Sequence, residues 1–219
     1  MIDFERQIEI FKLIGKSLKE SVECYAIGGT AMLFLGLKDS TKDVDLVFEK
    51  KEERNLIKKV LEKIGLKESN DIKIYRHSET IKECPILLEG HDSRFDLFLK
   101  DIISFKLSPG IKERVKERHE FDNFKIMVVS PEDILLLKSA TDRRGDVLDA
   151  KKIIETFNID WDIVIKECEW QTEYGRKIFS LFLFDFLEEL EEIGADVPKN
   201  VKRRVRDIWE RKMIELLKK

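Results

Sequence analysis

Cysteine and histidine are scarce in this chain, and long apolar runs and an excess of either charge are missing. Each shortage removes a class of protein. Three cysteines among 219 residues, Cys24, Cys84 and Cys168, lie far apart, are odd in number and never form a CxxC pair. A disulfide framework or cysteine zinc site is therefore not expected, and a reducing, cytoplasmic compartment is. His77, His91 and His119 share no ligand spacing, and no Ser or Cys stands in a nucleophile motif. No apolar stretch approaches the roughly 20 residues of a membrane span; even SLFLFDFLEEL is interrupted by Asp185. The opening residues, MIDFERQIEIFKLIGKSL, carry charges throughout their apolar pattern and do not read as a signal peptide. Lys and Arg number 41 against 44 Asp and Glu, a net charge of −3. Bulk charge thus gives no reason to expect non-specific nucleic-acid binding.

What is plentiful is charge, at 39%, beside 42% hydrophobic residues. That supports a core with a densely charged surface, in one domain or two small ones. High charge with few glycines suits a heat-tolerant protein. No repeat or low-complexity segment is present.

Periodicity places an amphipathic helix over 4–19, a strand over 22–27, a helix over 30–37, a strand over 44–48 and a helix over 51–64. Weaker strand signals fall at 72–76 and 86–89, and clear alternation marks 94–99 and 124–129. Ser130-Pro131-Glu132-Asp133 is a helix start, with a hydroxyl cap, proline in the first turn and acids next. Helical patterns then cover 131–141, 146–156, 161–170, 174–193 and 199–218. The expectation is an α+β fold, with a mixed α/β domain over 1–130 and a helical domain over 131–219.

The stretch YAIGGTAMLFLGLKDSTKDVDLVF carries the chemistry. Side chains alternate along a strand, so Asp43 and Asp45 share one face while Val44 and Leu46 serve the core. Adjacent carboxylates repel, and a divalent ion such as Mg²⁺, held by one or two carboxylates, waters and a substrate phosphate, removes the conflict. Gly28 and Gly29 form a turn whose backbone N–H groups can approach a phosphate, with Thr30 beside them. Asp96, within SRFDLFLKD, adds a third acid in an alternating strand. If its strand neighbours the first, three carboxylates converge as in a two-metal site. The simpler alternatives are that Asp43 pairs with Lys38 or Lys42, and Asp96 with Arg94 on the same face.

A Gly-Gly turn, a short helix, an Asp-x-Asp strand and a later strand acid together resemble the nucleotidyltransferase superfamily of the DNA polymerase beta type. SPEDILLLKSATDRRGDVLDAKKII further resembles the helical segment of AbiEii-type toxins and related nucleotidyltransferase-like proteins, a lysine followed by basic residues and Asp-x-x-Asp. These are Lys138, Arg143, Arg144, Asp146 and Asp149, and the resemblance spans about residues 22–157. It implies an Mg²⁺- or Mn²⁺-dependent enzyme that moves NMP from NTP to an acceptor hydroxyl with release of pyrophosphate. Asp43, Asp45 and Asp96 would be the catalytic metal ligands, and Gly28, Gly29, Thr30 and Lys138 the nucleotide contacts. The toxin likeness points to tRNA or protein as acceptor. On the residues alone, Lys138 is equally a snorkelling lysine paired with Asp142 four residues on, and Asp149 a structural acid orienting a lysine or arginine.

Two other classes stay open. One is a non-catalytic module of the same fold, an antitoxin-like partner of a small helical protein. The other is a nucleotide-sugar transferase, which the upstream Gly-Gly fits poorly. Lys112, Arg114, Lys116 and Arg118 alternate on a possible strand that offers either a basic edge for RNA or a solvated one. VKRRVRDIWERK is a basic helix whose acids, Asp207 and Glu210, favour a solvated face.

Overall fold

The computed structural model describes residues 1–69, 84–90, 93–102, 104–141 and 143–218. The strand expected at 72–76 lies outside them, as do His77, His91 and Asp142. The chain divides into two compact units, residues 1–103 with 112–129, and residues 104–111 with 130–219.

The first unit opens with β1 (Ile2–Asp3) and α1 (Phe4–Ser17), whose first turn is capped by Asp3 accepting from the Arg6 backbone N–H at 2.8 Å. Gln7, Ile10, Phe11, Ile14 and Gly15 form the buried face of α1, the spacing of a helix lying on a sheet. There follow β2 (Val22–Ala26), α2 (Gly28–Phe34), β3 (Ser40–Thr41), β4 (Asp43–Phe48) and α3 (Lys51–Lys63). Next come β5 (Lys67–Glu68), β6 (Ile86–Gly90), β7 (Ser93–Leu99), β8 (Asp101–Ile102), β9 (Phe105–Lys106), α4 (Pro109–Glu113), β10 (Glu117–Phe121) and β11 (Phe124–Val128).

The central mixed sheet has the order β10-β11-β2-β4-β7-β6-β5. β4 is parallel to β7 and antiparallel to β2, and its Val44, Leu46, Val47 and Phe48 are fully buried. β1 and β3 pair separately. The alternation across 112–118 is a correction: Lys112 lies in the last turn of the short helix α4, and the strand begins only at Glu117. Lys112 donates to Glu49 at 2.9 Å instead of presenting a basic edge.

In the second unit α5 (Pro131–Ser139) begins at Ser130 as expected, and its hydroxyl accepts from the Asp133 N–H. Ile134 to Ser139 are all buried, because α5 packs against α6 (Arg144–Thr156), α7 (Trp161–Tyr174) and α8 (Phe179–Glu192). A helix apolar on every side must be enclosed. α9 (Lys199–Leu217) lies on α7 and α8. Its basic character is answered by acids on those helices: Arg204 meets Asp162 at 2.5 Å, Arg211 meets Glu169 at 2.8 Å, and Lys202 meets Glu191 at 2.7 Å. The segment 104–111 is tied in by polar bonds. Lys106 N–H donates to Gln171 at 2.9 Å and Ser108 donates to Glu167 at 2.9 Å.

Candidate active site

Pairing β4 with β7 sets the site. The parallel register aligns Asp43 with Arg94 and Asp45 with Asp96. Paired strand positions share a face, so Asp43, Asp45, Arg94 and Asp96 stand together, opposite the apolar side chains of Val44 and Leu46. The adjacency that the two-metal reading required is present.

Within this block the carboxylates are not equally placed. Asp43 and Asp45 are partly exposed, whereas Asp96 is 1% exposed. Arg94 grips Asp96 with both arms, Nε to Oδ1 at 2.7 Å and Nη2 to Oδ2 at 3.0 Å. Its Nε also lies 3.7 Å from Asp43 Oδ1. A bidentate fork is the strong geometry for a guanidinium and a carboxylate. Among the described residues no three His, Cys, Asp or Glu side chains are gathered closely enough to hold a metal ion. Asp43 and Asp45 still suit a hard cation that keeps its waters, but Asp96 gives its oxygens to Arg94.

The glycines owe their place to close approach. Gly28 has a left-handed backbone, φ 52°, and a side-chain carbon on it would stand 3.0 Å from Asp45 Oδ2. A carbon on Gly29 would stand 2.2 Å from the Thr41 hydroxyl. The Thr30 hydroxyl accepts from the Asp45 N–H at 2.8 Å, fastening α2 to the strand that carries the acids. Gly28 and Thr30 thus sit directly against Asp45, and Gly29 against Thr41. Thr30 is fully buried, however, and its hydroxyl is engaged in that backbone bond.

In the second unit Lys138 lies between two acids of α6. Its Nζ is 2.5 Å from Asp146 Oδ1 and 2.7 Å from Asp149 Oδ2. The Thr141 hydroxyl donates to the other oxygen of Asp146. Burial pulls the Lys138 pKa down, but the two carboxylates outweigh it and leave the pKa above the usual lysine value. Asp149 does orient a lysine, one of the roles its spacing allowed. Arg143 and Arg144 are exposed at the start of α6.

Two open grooves lie away from the acids. One in the first unit is lined by Glu49, Lys50, Lys51, Leu99, Lys100 and Asp101, at the far ends of β4 and β7. One in the second, about 390 Å³, is lined by residues of Ser139–Thr141 and by Phe182, Asp185, Phe186 and Glu189. Neither was legible as a motif. The buried thiols of Cys24 and Cys168 are pushed above the ordinary range by burial, which suits inert core residues.

Residues 7–178 match the family described as "Nucleotidyl transferase of unknown function (DUF2204)", and the chain belongs to that family. The nucleotidyltransferase resemblance carried by the glycines and the aspartates is thereby shown. Among solved structures the chain is similar to the crystal structure of ANT(2")-Ia in complex with adenylyl-2"-tobramycin. Identity is 13%, covering 84% of this chain and 96% of that one, with a TM-score of 0.44. No curated protein matches the chain. No helix among the described residues is long and apolar enough to cross a membrane.

Proposed function

We propose that this chain transfers a nucleoside monophosphate from an NTP to an acceptor hydroxyl and releases pyrophosphate. The observation that carries the reading is the register that places Asp45 beside Asp96, with Asp43 on the same face, in a chain of the nucleotidyl transferase family. The acceptor oxygen forms a bond to the α-phosphorus, the bond from that phosphorus to the bridging oxygen breaks, and pyrophosphate departs. The acceptor's proton passes to a carboxylate of the block or to water. A bound Mg²⁺ or Mn²⁺ would supply charge neutralisation on the triphosphate and on the departing oxygen.

The residues divide that work. Asp43 and Asp45 would hold the ion, and Asp96, buried and gripped by Arg94, would anchor the block beneath them. Gly28, whose turn abuts Asp45, would bring its backbone to the triphosphate, with Gly29 and Thr30 fixing that turn. Lys138 can reach a phosphate only by exchanging Asp146 and Asp149 for it, so we place it first as the cation that fastens α5 to α6 and second as a nucleotide contact. Catalysis would then be mainly positioning and electrostatics. The acceptor class favoured by the AbiEii-type resemblance is tRNA or protein.

The second reading is a non-catalytic partner of the same fold that binds a small helical protein. Its support is the bidentate Arg94–Asp96 pair, which leaves the third acid engaged. Incubation with labelled NTPs, Mg²⁺ and a pool of tRNA and protein separates the two. Incorporation by wild type and its loss in Asp45→Ala supports the transferase. A wild type that binds no NTP with metal present, yet captures a small helical protein in a defined complex, supports the partner.

A further inference from the structure

We propose that the groove of the helical unit is a binding site for a small aliphatic diamine, held by Asp185 and Glu189. Every residue that lines it belongs to that unit, so the site stands whether or not the chain is a transferase. Helix α8 contributes two neighbouring stripes, Phe182 with Phe186 and Asp185 with Glu189, each a pair one helical turn apart. The rest of the lining is Ser139, Ala140 and Thr141, the last residue of α5 and the two that follow it. A helix ends in partial negative charge, so the end of α5 and the two carboxylates both favour a cation, while the phenylalanines favour an apolar stem.

The acids of α8 are not treated alike. Glu188 and Glu191 share Lys202, at 3.4 and 2.7 Å. Asp185 and Glu189 are exposed and have no cation as partner among the described residues. Like charges one turn apart disfavour a helix, and a ligand with two ammonium groups turns that repulsion into attraction. Cβ atoms at this spacing stand about 5–6 Å apart, a separation that the ends of a four-carbon diamine match while its methylenes lie along Phe182 and Phe186. The Phe182 ring already takes a cation: the Arg176 guanidinium lies 4.6 Å from its centroid and donates to the Ser104 hydroxyl at 2.9 Å. The volume, about 390 Å³, falls within the roughly 300–1,000 Å³ of small-molecule sites, so the occupant is a free amine rather than a protein partner.

The test is calorimetric titration of the full chain at low salt with putrescine, with butylamine, which carries one ammonium, and with butanediol, which carries none. Wild type is expected to bind putrescine about fivefold more tightly than butylamine, the worth of one exposed ion pair, and not to bind butanediol. Asp185→Asn and Glu189→Gln should each bring putrescine down to the butylamine affinity. Their melting temperatures should be no lower than that of wild type, because a like-charge pair is relieved. Glu192→Gln removes an exposed acid of the same helix that does not line the groove and should leave the Kd unchanged. Equal weakening by Glu192→Gln would mean diffuse attraction to an acidic helix and overturns the site. So does a wild type that takes up no putrescine at millimolar concentration. Neither result bears on the NTP incorporation assay, which tests the transferase separately.

Discussion

Arg94 in the sheet unit and Lys138 in the helical unit both lie among carboxylates, and the two clusters differ in how they are buried. In the helical unit Lys138, Asp146 and Asp149 have side chains 10%, 13% and 14% exposed, so all are closed off together. In the sheet unit exposure climbs from 2% at Asp96 through 19% at Arg94 to 34% at Asp43. In a uniformly buried cluster the charges satisfy one another. A cluster graded from core to surface keeps one end anchored and offers the other. The lesson is that an acid and a base at motif spacing do not by themselves mark a site. On the proposed function, the gradient of burial across them is what tells the two clusters apart.

The sharpest way to break this contrast is to remove one acid from the graded cluster. On the proposed function, Asp45→Ala should lower label incorporation from NTP by about a thousandfold, because it would remove an ion ligand, while thermal melting stays cooperative. Retained activity would move the chemistry away from β4. The closed cluster should respond in stability instead. Lys138→Met leaves Asp146 and Asp149 buried without their cation and should cost about 3–5 kcal/mol in urea unfolding. A stable Lys138→Met protein that no longer binds NTP would put the lysine in the site and end the distinction.

Smaller effects sharpen it. Gly28→Ala forces a left-handed residue to carry a side chain against Asp45 Oδ2 and should cost about 1–2 kcal/mol. It should also weaken NTP binding, measured by calorimetry. The pH response of Lys138 follows from its raised pKa, above an unfolded value of 10.5. A raised folded pKa means that the pair's contribution is complete below the unfolded value and lost as pH climbs through the folded one. Urea midpoints of wild type should thus fall on that account only above about pH 10, and those of Lys138→Met should lack the alkaline component. The least effect is expected from Arg204→Ala, whose exposed pair with Asp162 joins α9 to α7. Its melting temperature at moderate salt should be inseparable from wild type, since exposed pairs are screened and costly to order.

Much of the contrast was legible in the sequence, but unevenly. The acids of β4 were visible because period-two alternation forces Asp43 and Asp45 off the core face. The Ser130 start of α5 and the extents of α1, β4 and α3 follow from caps and apolar spacing. Arg94 appeared only as an alternative partner for Asp96, because a same-face neighbour has no geometry until its strand has a register. Lys138 read equally as a phosphate contact or a snorkelling lysine; its burial depends on α6 packing against α5, which local pattern does not encode. β10 was placed too early because its Glu, Arg and His show no apolar alternation, and β11 alone makes it a strand. The attachment of 104–111 to the helical unit left no composition signal at all, since its ties are single polar bonds to distant residues.

That attachment bears on how the protein is made. The ribosome delivers Lys106 and Ser108 before the residues that receive them, Gln171 and Glu167, which lie 65 and 59 positions downstream. At ordinary elongation rates of about 5–20 residues per second, the nascent segment waits several seconds for its partners. The helical unit therefore completes only late in translation, around a piece of chain synthesised in the middle of the sheet unit. A gene fragment cut at residue 130 would carry that piece away from the helices it is bonded to.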